Sequence, residues 1–536
     1  MRLMRNFALS IFTGLLLSFA WPVDGFFQLI FVAWVPLLWL ETDLKTENKP
    51  RIAFLFYSLL SMLIWNVLTT WWIKNASFGG ALMAIVANSL LMASVLYFFH
   101  IVKTKKGERY GYFSLIAFWM SFEYIHLRWD ITWPWLNLGN VFANQIELIQ
   151  WYEYTGTFGG TLWVLICNLL ILKLVKFKVS GKPVRSTIIS LALILLFPML
   201  YSLMLFHQYK EEQRPVNVVI VQPNIDPYNE KFSGLTSTQQ LMKLIELTNG
   251  KLDQKTNYLV GPETALVEYL WEDRLNESSD LKYLDSLLHV YPNLNILIGA
   301  STLKVFMPGE QLSATARKFG NTEQYYDSYN TALQLDHKGN IQIYHKSKLV
   351  PGVEKMPWPA VFKYIEKFAI DLGGISGSLG MQEEREAFFT ANRKYAAGPI
   401  VCYESVYGEY VGEYVKKGAN FLSIITNDGW WGDTPGYKQH LKYGAIRAVE
   451  TRRSIVRAAN TGISCIINQR GEISNITSWW TDDAIKATIN VNDKITLYTR
   501  FGDYLGLMAV YFSIAIIAGM ILTKFTAPKK YASIKI

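Results

Sequence analysis

The chain has 536 residues, of which 51% are hydrophobic and 15% aromatic, and its mean hydropathy is +0.15. This length exceeds one ordinary domain, and this apolar content excludes a typical soluble enzyme, so we expect a membrane-embedded part. The formal net charge of +9 does not indicate nucleic-acid binding, because membrane proteins carry excess lysine and arginine on cytoplasmic loops. Of the three cysteines, Cys167 lies in an apolar segment, which leaves at most one disulfide, between Cys402 and Cys465.

Eight apolar segments have the composition of membrane helices. The first two, at 7–20 and 27–40, are short for the roughly 20 residues that a spanning helix needs, so they either span thinly or form a re-entrant hairpin. The others lie at 52–73, 80–102, 111–127, 156–176, 186–206 and 503–523. The sequence therefore predicts a polytopic membrane domain over 1–213, and a C-terminal membrane helix with its tail over 496–536.

The basic residues are distributed unevenly between alternate connections of these segments. One set of connections carries most of them, including the groups at 103–109 and 173–185, whereas the other set holds little beyond Lys74 and Arg128. Such asymmetry places both termini in the cytoplasm. By parity, the long segment between the seventh and eighth helices lies on the opposite side of the membrane, outside.

That segment, residues 214–495, has frequent charges, and short β-like runs alternate in it with amphipathic stretches. We predict strands at 216–221, 258–260, 295–299, 329–335, 341–344, 399–403, 421–426, 454–458 and 464–468. Helical patterns lie near 236–252, 279–290, 407–417 and 437–452. Strands interleaved with helices predict a layered α/β domain.

Three of the predicted strands end at residues that together suit nucleophilic catalysis. Glu263 and Lys346 each follow an apolar run, and Cys402 closes another. A thiol attacks an ester or amide as the thiolate, so it needs a proton acceptor and a group that stabilises the developing oxyanion. Glu263 suits the first role and Lys346 the second. Each residue alone has a more ordinary explanation, as a core thiol, a capping carboxylate or a solvated lysine.

The sequence contains no motif for a cysteine–histidine pair, a metal site or a nucleotide-binding site. His345 and His440 are the nearest candidates for a cysteine–histidine pair, and we interpret both as supporting or surface residues. Neither an HExxH motif nor paired CxxC, Walker or GxGxxG motifs occur, so no metal and no nucleotide cofactor is expected. Glu123 and His126, near the end of the fifth segment, are interpreted as an interfacial pair rather than as ligands of a lipid head group.

Glu263, Lys346 and Cys402, in this order and with these flanking residues, resemble the carbon-nitrogen hydrolase (nitrilase) superfamily. Membrane segments before and after such a domain narrow the resemblance to the apolipoprotein N-acyltransferase family. The stretches that carry it are Leu349-Val350-Pro351, Cys402-Tyr403-Glu404, and Thr426-Asn427-Asp428-Gly429-Trp430-Trp431. The resemblance implies an α-β-β-α sandwich that lies outside the membrane.

The family resemblance also implies a reaction. Cys402 would take an acyl group from the sn-1 position of a membrane phospholipid as a thioester, and pass it to the α-amine of an S-diacylglyceryl cysteine at the start of a lipoprotein. In this scheme Glu263 is the base and Lys346 stabilises the oxyanion. The implied partners are the phospholipid, the diacylated lipoprotein and the bilayer, with no nucleic acid, and we expect a monomer.

The resemblance assigns supporting roles to five further residues. Glu354 would orient Lys346, Tyr403 and Glu404 would shape the site, and Trp430 and Phe232 would contact substrate. This chain departs from the family pattern at Phe232, where the family has tryptophan and where Tyr228 is an alternative. It departs again at 352–353, where Gly-Val replaces Phe-Gly.

Two other functions remain open at this stage. A membrane-tethered amidase of the same superfamily would resolve the thioester with water instead of an amine. A receptor or transporter with an outer binding domain would need polar or broken helices along a pathway, and these are scarce in this sequence.

Overall fold

The computed structural model describes residues 2–231, 234–355 and 378–526, with side chains described to residue 522. A helical domain is formed by the first eight helices and the last one. The first eight are α1 (Arg2–Phe19), α2 (Val35–Thr46), α3 (Arg51–Thr70), α4 (Phe78–Lys106), α5 (Glu108–His126), α6 (Tyr152–Thr155), α7 (Thr157–Val179) and α8 (Arg185–Gln208). Short 3₁₀ turns, among them Phe27–Phe31 and Trp71–Asn75, connect several of them.

Helices lie at all eight predicted membrane positions. Within the described part of the chain, six are long and apolar enough to cross a membrane, at 27–46, 51–75, 78–106, 157–179, 185–208 and 504–522. The two exceptions are α1 and α5, which carry charged residues such as Arg5 and Glu123 and therefore have lower mean hydropathy. Their lengths, 18 and 19 residues, are at the short end of the set, in which the other segments have 19 to 29 residues.

The remaining helices are α9 (Ser237–Leu247), α10 (Ser279–Val290), α11 (Gly408–Lys416), α12 (Pro435–Thr451), α13 (Leu497–Phe501) and α14 (Tyr504–Thr526). The strands are β1 (Pro215–Gln222), β2 (Tyr258–Val260), β3 (Leu266–Trp271), β4 (Asn295–Val305), β5 (Arg317–Lys318), β6 (Tyr325–Asp336), β7 (Ile341–His345), β8 (Phe388–Phe389), β9 (Ala396–Val401), β10 (Phe421–Thr426), β11 (Ile455–Ala459), β12 (Cys465–Ile467), β13 (Ile473–Ser474) and β14 (Asp483–Asn490). Strands and their flanking helices form a second domain, which we call the sandwich domain.

The strands pair in two mixed sheets. The first has the order β14-β1-β2-β4-β6-β5, with β3 on β4 and β7 on β6. Its parallel pairs are β1–β2, β2–β4 and β3–β4. The second has the order β13-β12-β11-β10-β9-β8, and its parallel centre is β9–β10–β11. Parallel strands bring their carboxyl ends to one edge, which is where the candidate site residues lie.

The two sheets face each other across an apolar core. Val218 and Ile220 of β1 pack with Ile424 and Val456 of the second sheet, where strand positions alternate between the two faces. On the outer face of the first sheet, α9 and α10 cover residues such as Val219. Helices α11 and α12 cover the second sheet. This is the α-β-β-α sandwich that the resemblance implies, and that prediction is confirmed.

Helix α12 of the sandwich domain lies between the second sheet and the helical domain, and is buried on both sides. Trp21 Nε1 donates to the Tyr443 hydroxyl at 3.1 Å, and Trp135 Nε1 donates to Gln439 Oε1 at 2.6 Å. Gln439 Nε2 in turn donates to the Pro22 carbonyl at 2.9 Å. The two domains therefore share one continuous core.

The structure corrects several sequence-based boundaries. The strand predicted at 399–403 ends at Val401, because the chain turns sharply at Cys402. The helix predicted at 236–252 ends at Leu247. Strands β3, β5, β8, β13 and β14 have no counterpart among the predicted elements.

Candidate functional site

Glu263 lies three residues beyond β2, on a tight loop above the first sheet. Thr264, which follows it, has a φ of +47°, a strained left-handed conformation. The loop comes so close to β4 that a Cβ at Gly299 would lie 2.7 Å from the Glu263 Cα. Glycine at this position therefore lets the carboxylate approach the space between the sheets.

Cys402 follows the last residue of β9 and begins a 3₁₀ turn, Cys402–Val406. Its own φ is +51°, which is rare for a residue with a Cβ. A strained turn at the end of a buried strand supports the thiol from behind and presents it in front. The residue is buried, with 9% of its surface exposed, and it borders a cavity.

Lys346 follows β7 and joins two carboxylates. Its Nζ donates to Glu263 Oε1 at 2.9 Å and to Glu354 Oε1 at 2.8 Å. The side chain is 1% exposed. A buried ammonium held from two sides is fixed in position and is available to stabilise negative charge beside it.

Three polar residues complete the surroundings of Glu263, and sequence reasoning assigned none of them a role. Asn330 Nδ2 donates to Glu263 Oε1 at 2.8 Å, and the Asn427 backbone N–H donates to Oε2 at 3.0 Å. Lys231 Nζ donates to the Glu263 carbonyl at 3.2 Å. Only the position of Asn427 within the 426–431 motif offered a signal in the sequence.

Charge and burial set the protonation of these groups. Burial raises the pKa of the Cys402 thiol above its usual range, Glu263 adds to the rise, and Lys346 opposes it. Burial also raises the pKa of Glu263, but the Lys346 ammonium and the hydrogen bonds outweigh it, so that pKa is lowered. Burial lowers the pKa of Lys231 to about 8. The resting site therefore holds a neutral thiol beside a carboxylate and an ammonium.

Glu404 is fully buried and accepts hydrogen bonds from both sides of the site. Its Oε2 accepts from the Val401 N–H at 2.8 Å, and its Oε1 accepts from the Ser347 N–H at 2.7 Å. Three tyrosine hydroxyls also donate to it at 2.7–2.9 Å, those of Tyr344, Tyr410 and Tyr414. One carboxylate thus ties the residue before Cys402 to the residue after Lys346.

The two histidines support the backbone and surrounding residues. His440 lies 3.1 Å from the Cys402 carbonyl and 2.8 Å from the Ser405 hydroxyl, and it is buried, not a surface residue. His345 pairs with Glu272 at 2.6 Å. In the described residues, no hydrogen bond from either ring reaches the Cys402 thiol. All three cysteines are free, so the disulfide that the sequence allowed is not formed.

Both domains line one cavity of about 250 Å³ at this site. The sandwich contributes Glu263, Lys346 and Cys402 to it, together with Glu354 and Trp430. The helical domain contributes an apolar wall, which includes Met83, Ala84, Ala87 and Leu91 of α4 and the tryptophans Trp72, Trp133 and Trp135. The thiol therefore faces a space that is polar on one side and apolar on the other.

Of the other predicted site residues, Tyr403 and Trp430 have defined contacts in the structure. Tyr403 donates its hydroxyl to the Thr132 carbonyl at 3.0 Å, which links the turn of Cys402 to the helical domain. Trp430 packs edge-on against Tyr228, with ring centroids 5.2 Å apart. Phe232 lies outside the described residues.

Glu123 and His126 do not form the interfacial pair that we predicted. Glu123 accepts from Trp119 Nε1 at 3.0 Å and from the Thr161 hydroxyl at 2.7 Å. His126 Nδ1 accepts from Trp129 Nε1 at 2.8 Å and lines the cavity. The two side chains lie three residues apart on α5, but each binds a different part of the helical domain.

In the described residues, no group of three or more histidine, cysteine or acidic side chains is arranged to hold a metal ion. The polar groups of the site are instead one thiol, one carboxylate and one ammonium at its centre. This combination is suited to acyl transfer through a covalent intermediate.

Two family models match the chain. Residues 13–170 match the apolipoprotein N-acyltransferase N-terminal domain, and residues 217–496 match the carbon-nitrogen hydrolase family. Among solved structures, Nit3 of Saccharomyces cerevisiae, a member of the nitrilase superfamily, aligns over 53% of this chain and 92% of its own, at 16% identity and a TM-score of 0.36.

Curated relatives match over almost the whole length. The apolipoprotein N-acyltransferase of Chlorobaculum tepidum is 30% identical over 94% of both chains. That of Geobacter metallireducens is 27% identical over 93% of this chain and 92% of its own. Such a match, together with the two family models, shows that the chain belongs to the apolipoprotein N-acyltransferase family.

Proposed function

We propose that this protein acylates lipoproteins in two steps through a thioester on Cys402. The donor is the sn-1 chain of a membrane phospholipid, and the acceptor is the α-amine of an S-diacylglyceryl cysteine. The observation that supports this most strongly is the shared cavity, in which Cys402, Lys346 and Glu263 face an apolar wall of the helical domain. A water-soluble substrate would gain nothing from that wall, whereas a lipid chain is stabilised by it.

In the first step, Glu263 removes the proton of Cys402 as the sulfur attacks the sn-1 ester carbonyl. The C–S bond forms, and the oxyanion develops beside the Lys346 ammonium. When the intermediate collapses, the ester C–O bond breaks and Glu263 returns the proton to the departing lysophospholipid oxygen. Because the thiol pKa is raised and the Glu263 pKa lowered, proton transfer is unfavourable at rest and must accompany the attack.

In the second step, the lipoprotein amine attacks the thioester carbonyl. A C–N bond forms while the amine proton passes to Glu263, and the oxyanion again develops beside Lys346. The C–S bond then breaks, and the proton on Glu263 returns to the sulfur. The thiol, the carboxylate and the ammonium are thereby restored for the next phospholipid.

Four residues maintain this geometry without exchanging protons. Glu354 orients the Lys346 ammonium from the side opposite Glu263. Glu404 holds the strand ends, and Tyr403 ties the turn of Cys402 to the helical domain. Trp430, in the cavity wall, contacts substrate.

The sandwich lies on the periplasmic side of the inner membrane, and both termini are cytoplasmic. Helix α4 starts beside the catalytic cavity and ends in Lys103, Lys105 and Lys106. Helix α7 starts where the Thr157 N–H donates to Glu450 of the sandwich, and it ends with Lys176 and Lys178. Basic residues thus gather at the helix ends far from the sandwich, as expected for the cytoplasmic face.

The alternative of a membrane-tethered amidase is not favoured. An amidase function would not explain why residues 13–170 match the N-terminal domain of the acyltransferase family. The receptor or transporter alternative leaves the buried Glu263–Lys346 pair beside the thiol unexplained.

The test is the mass of the purified protein after incubation with a diacyl phospholipid. We expect a gain of one acyl group that hydroxylamine removes, and its transfer to a diacylated N-terminal peptide. Cys402→Ser should show neither. Acylation of an unrelated residue, or release of fatty acid by water at the rate of peptide acylation, would contradict the proposal.

A further inference from the structure

A second cavity opens between α4, α5 and α14. It encloses about 530 Å³, within the range of about 300–1,000 Å³ typical of ligand pockets. We call it the groove, and its wall includes Val95, Phe98, Val102, Phe122, Ile125 and Ile517. Side chains such as Phe98 and Ile517 are more than half exposed, so in a bilayer the groove faces lipid.

The groove continues the catalytic cavity along one face of α4. That helix contributes Ala84, Ala87 and Leu91 to the catalytic cavity, and Val95, Phe98 and Val102 to the groove. Consecutive members are three or four residues apart, so they form a single stripe. At 1.5 Å per residue the stripe is about 27 Å long, close to the roughly 30 Å thickness of a bilayer core.

His126 lines both cavities. Its Nδ1 accepts a hydrogen bond from Trp129 Nε1 at 2.8 Å, so the proton of a neutral ring lies on Nε2. Nε2 is buried, and the Trp133 backbone interacts with the ring at a geometry that falls short of a full hydrogen bond to Nε2. A buried donor that is only partly satisfied costs free energy, and a ligand oxygen at this junction would complete its hydrogen bonding.

We propose that the groove holds the acyl chain which the phospholipid donor keeps, and that His126 donates its Nε2–H to an ester oxygen of that lipid. This inference rests on the proposed function. The two esters of a phospholipid are on adjacent glycerol carbons, so when one is at Cys402 the other must begin beside the catalytic cavity. His126 lies at that place, and the apolar stripe leads from it into the bilayer.

The acceptor fits the groove less well. Its two chains are joined to the reacting amine through the cysteine side chain and a glycerol, so they begin several bonds farther from the thioester. A chain that starts at the wall facing Cys402 also reaches the groove directly, along α4. Its occupant therefore enters with the donor, and bulk lipid replaces it only when no donor is bound.

The test compares two donors in single-turnover thioester formation. One is dipalmitoyl phosphatidylethanolamine, and the other is the lysolipid that retains only its sn-1 chain. Val95→Trp and Ile517→Trp would each fill the groove from a different helix. Val86→Trp is the matched control, because Val86 is 41% exposed on the same helix and lines neither cavity.

We expect the ratio of two-chain to one-chain rates to fall about tenfold or more in both groove variants and to keep its wild-type value in Val86→Trp. His126→Phe, which retains an aromatic ring but no donor, should lower the same ratio. An unchanged ratio in both groove variants would overturn the inference, as would a defect confined to transfer from preformed thioester to diacylated peptide. A wild-type protein that forms no thioester from either donor would instead refute the proposed function.

Discussion

The Glu404 carboxylate accepts a hydrogen bond from the backbone N–H of Val401 at 2.8 Å, one residue before the thiol. The same side chain accepts from the Ser347 N–H, one residue after Lys346. Two turns on different sheets, those of the proposed nucleophile and the proposed oxyanion-stabilising lysine, are therefore positioned by one buried anion. Since the distance between the thiol and the ammonium depends on these turns, Glu404 would act on the proposed reaction through geometry.

Glu404→Gln should lower thermal stability while retaining part of the thioester formation. A glutamine must place an NH₂ group against hydrogen-bond donors on one side, which leaves a buried donor such as the Val401 N–H unsatisfied at a cost of about 1–3 kcal/mol. Thermal melting and single-turnover thioester accumulation measure the two effects. Tyr414→Phe, which removes one of the donors to Glu404, is the milder control. Loss of all activity with unchanged melting would contradict a positioning role.

Glu263→Gln and Lys346→Met should each block the first half-reaction, because one removes the base and the other the oxyanion contact. We expect rates to fall by a factor on the order of a hundred or more. Lys346→Arg should restore only part of the rate, since a planar guanidinium cannot occupy the place of a compact ammonium between two carboxylates. The measurement is thioester accumulation from labelled phospholipid. Normal accumulation in Glu263→Gln would mean that another group removes the thiol proton.

Cys465→Ser should leave thioester formation largely intact, whereas Cys402→Ser should abolish it. Cys465 is a buried free thiol on β12, and its role is packing. Its hydroxyl replacement would cost some stability through burial of a polar group, so melting should be recorded alongside activity. Equal loss of thioester formation in both variants would indicate a disulfide between them.

Thioester formation should slow as the pH rises through about 8. Burial lowers the pKa of Lys231 to about 8, so its positive charge, which favours the thiolate, is present below that pH and lost above it. We expect a fall on the order of tenfold, equivalent to a one-unit rise in the pKa of the thiol. In Lys231→Met, thioester formation should be slower at pH 7, and its rate should not fall as the pH rises through 8. A fall of equal size in the variant would mean that another group causes the pH dependence.

A membrane-impermeant maleimide should distinguish the two sides of the protein in spheroplasts. Glu323→Cys places a thiol on the sandwich, where the native side chain is 90% exposed, and it should be labelled. Ser180→Cys, in the exposed turn after α7, should react only after the membrane is opened. Both variants are made in a Cys402→Ser background, because the native thiol at 402 lines the cavity, whereas Cys167 and Cys465 are buried. Labelling of Ser180→Cys alone in spheroplasts would reverse the proposed orientation.

The sequence predicts the positions of Glu263, Lys346 and Cys402 because each follows a strand with a strong local signal. Such runs are apolar throughout when both faces of a strand are buried, and the polar residue that ends them is conspicuous. The roles of Asn330 and Lys231 were not predictable in this way. Asn330 reaches Glu263 across 67 residues of chain, through pairing of β4 with β6 that no local pattern specifies.

The missed strands have a related explanation. Strand β14 exposes Asp483 and Lys486 and is formed by pairing with β1, more than 250 residues earlier in the chain. Strand β3 exposes Glu268 and Tyr269, so its pattern is not the alternation of a half-buried strand. The positive φ of Cys402 could not be predicted from the sequence either, because it results from the turn that Glu404 and His440 hold together.

Helix α12, with the helical domain on one side and the second sheet on the other, leaves no hinge between the domains in the described part of the chain. Its contacts with Trp21 and Trp135 fix the position of Cys402 relative to the helical domain. In the proposed reaction, exchange of substrates must therefore come from lateral diffusion of lipids in the membrane. In that reaction the spent lysophospholipid has to leave the wall of α4 before the lipoprotein anchor can take its place.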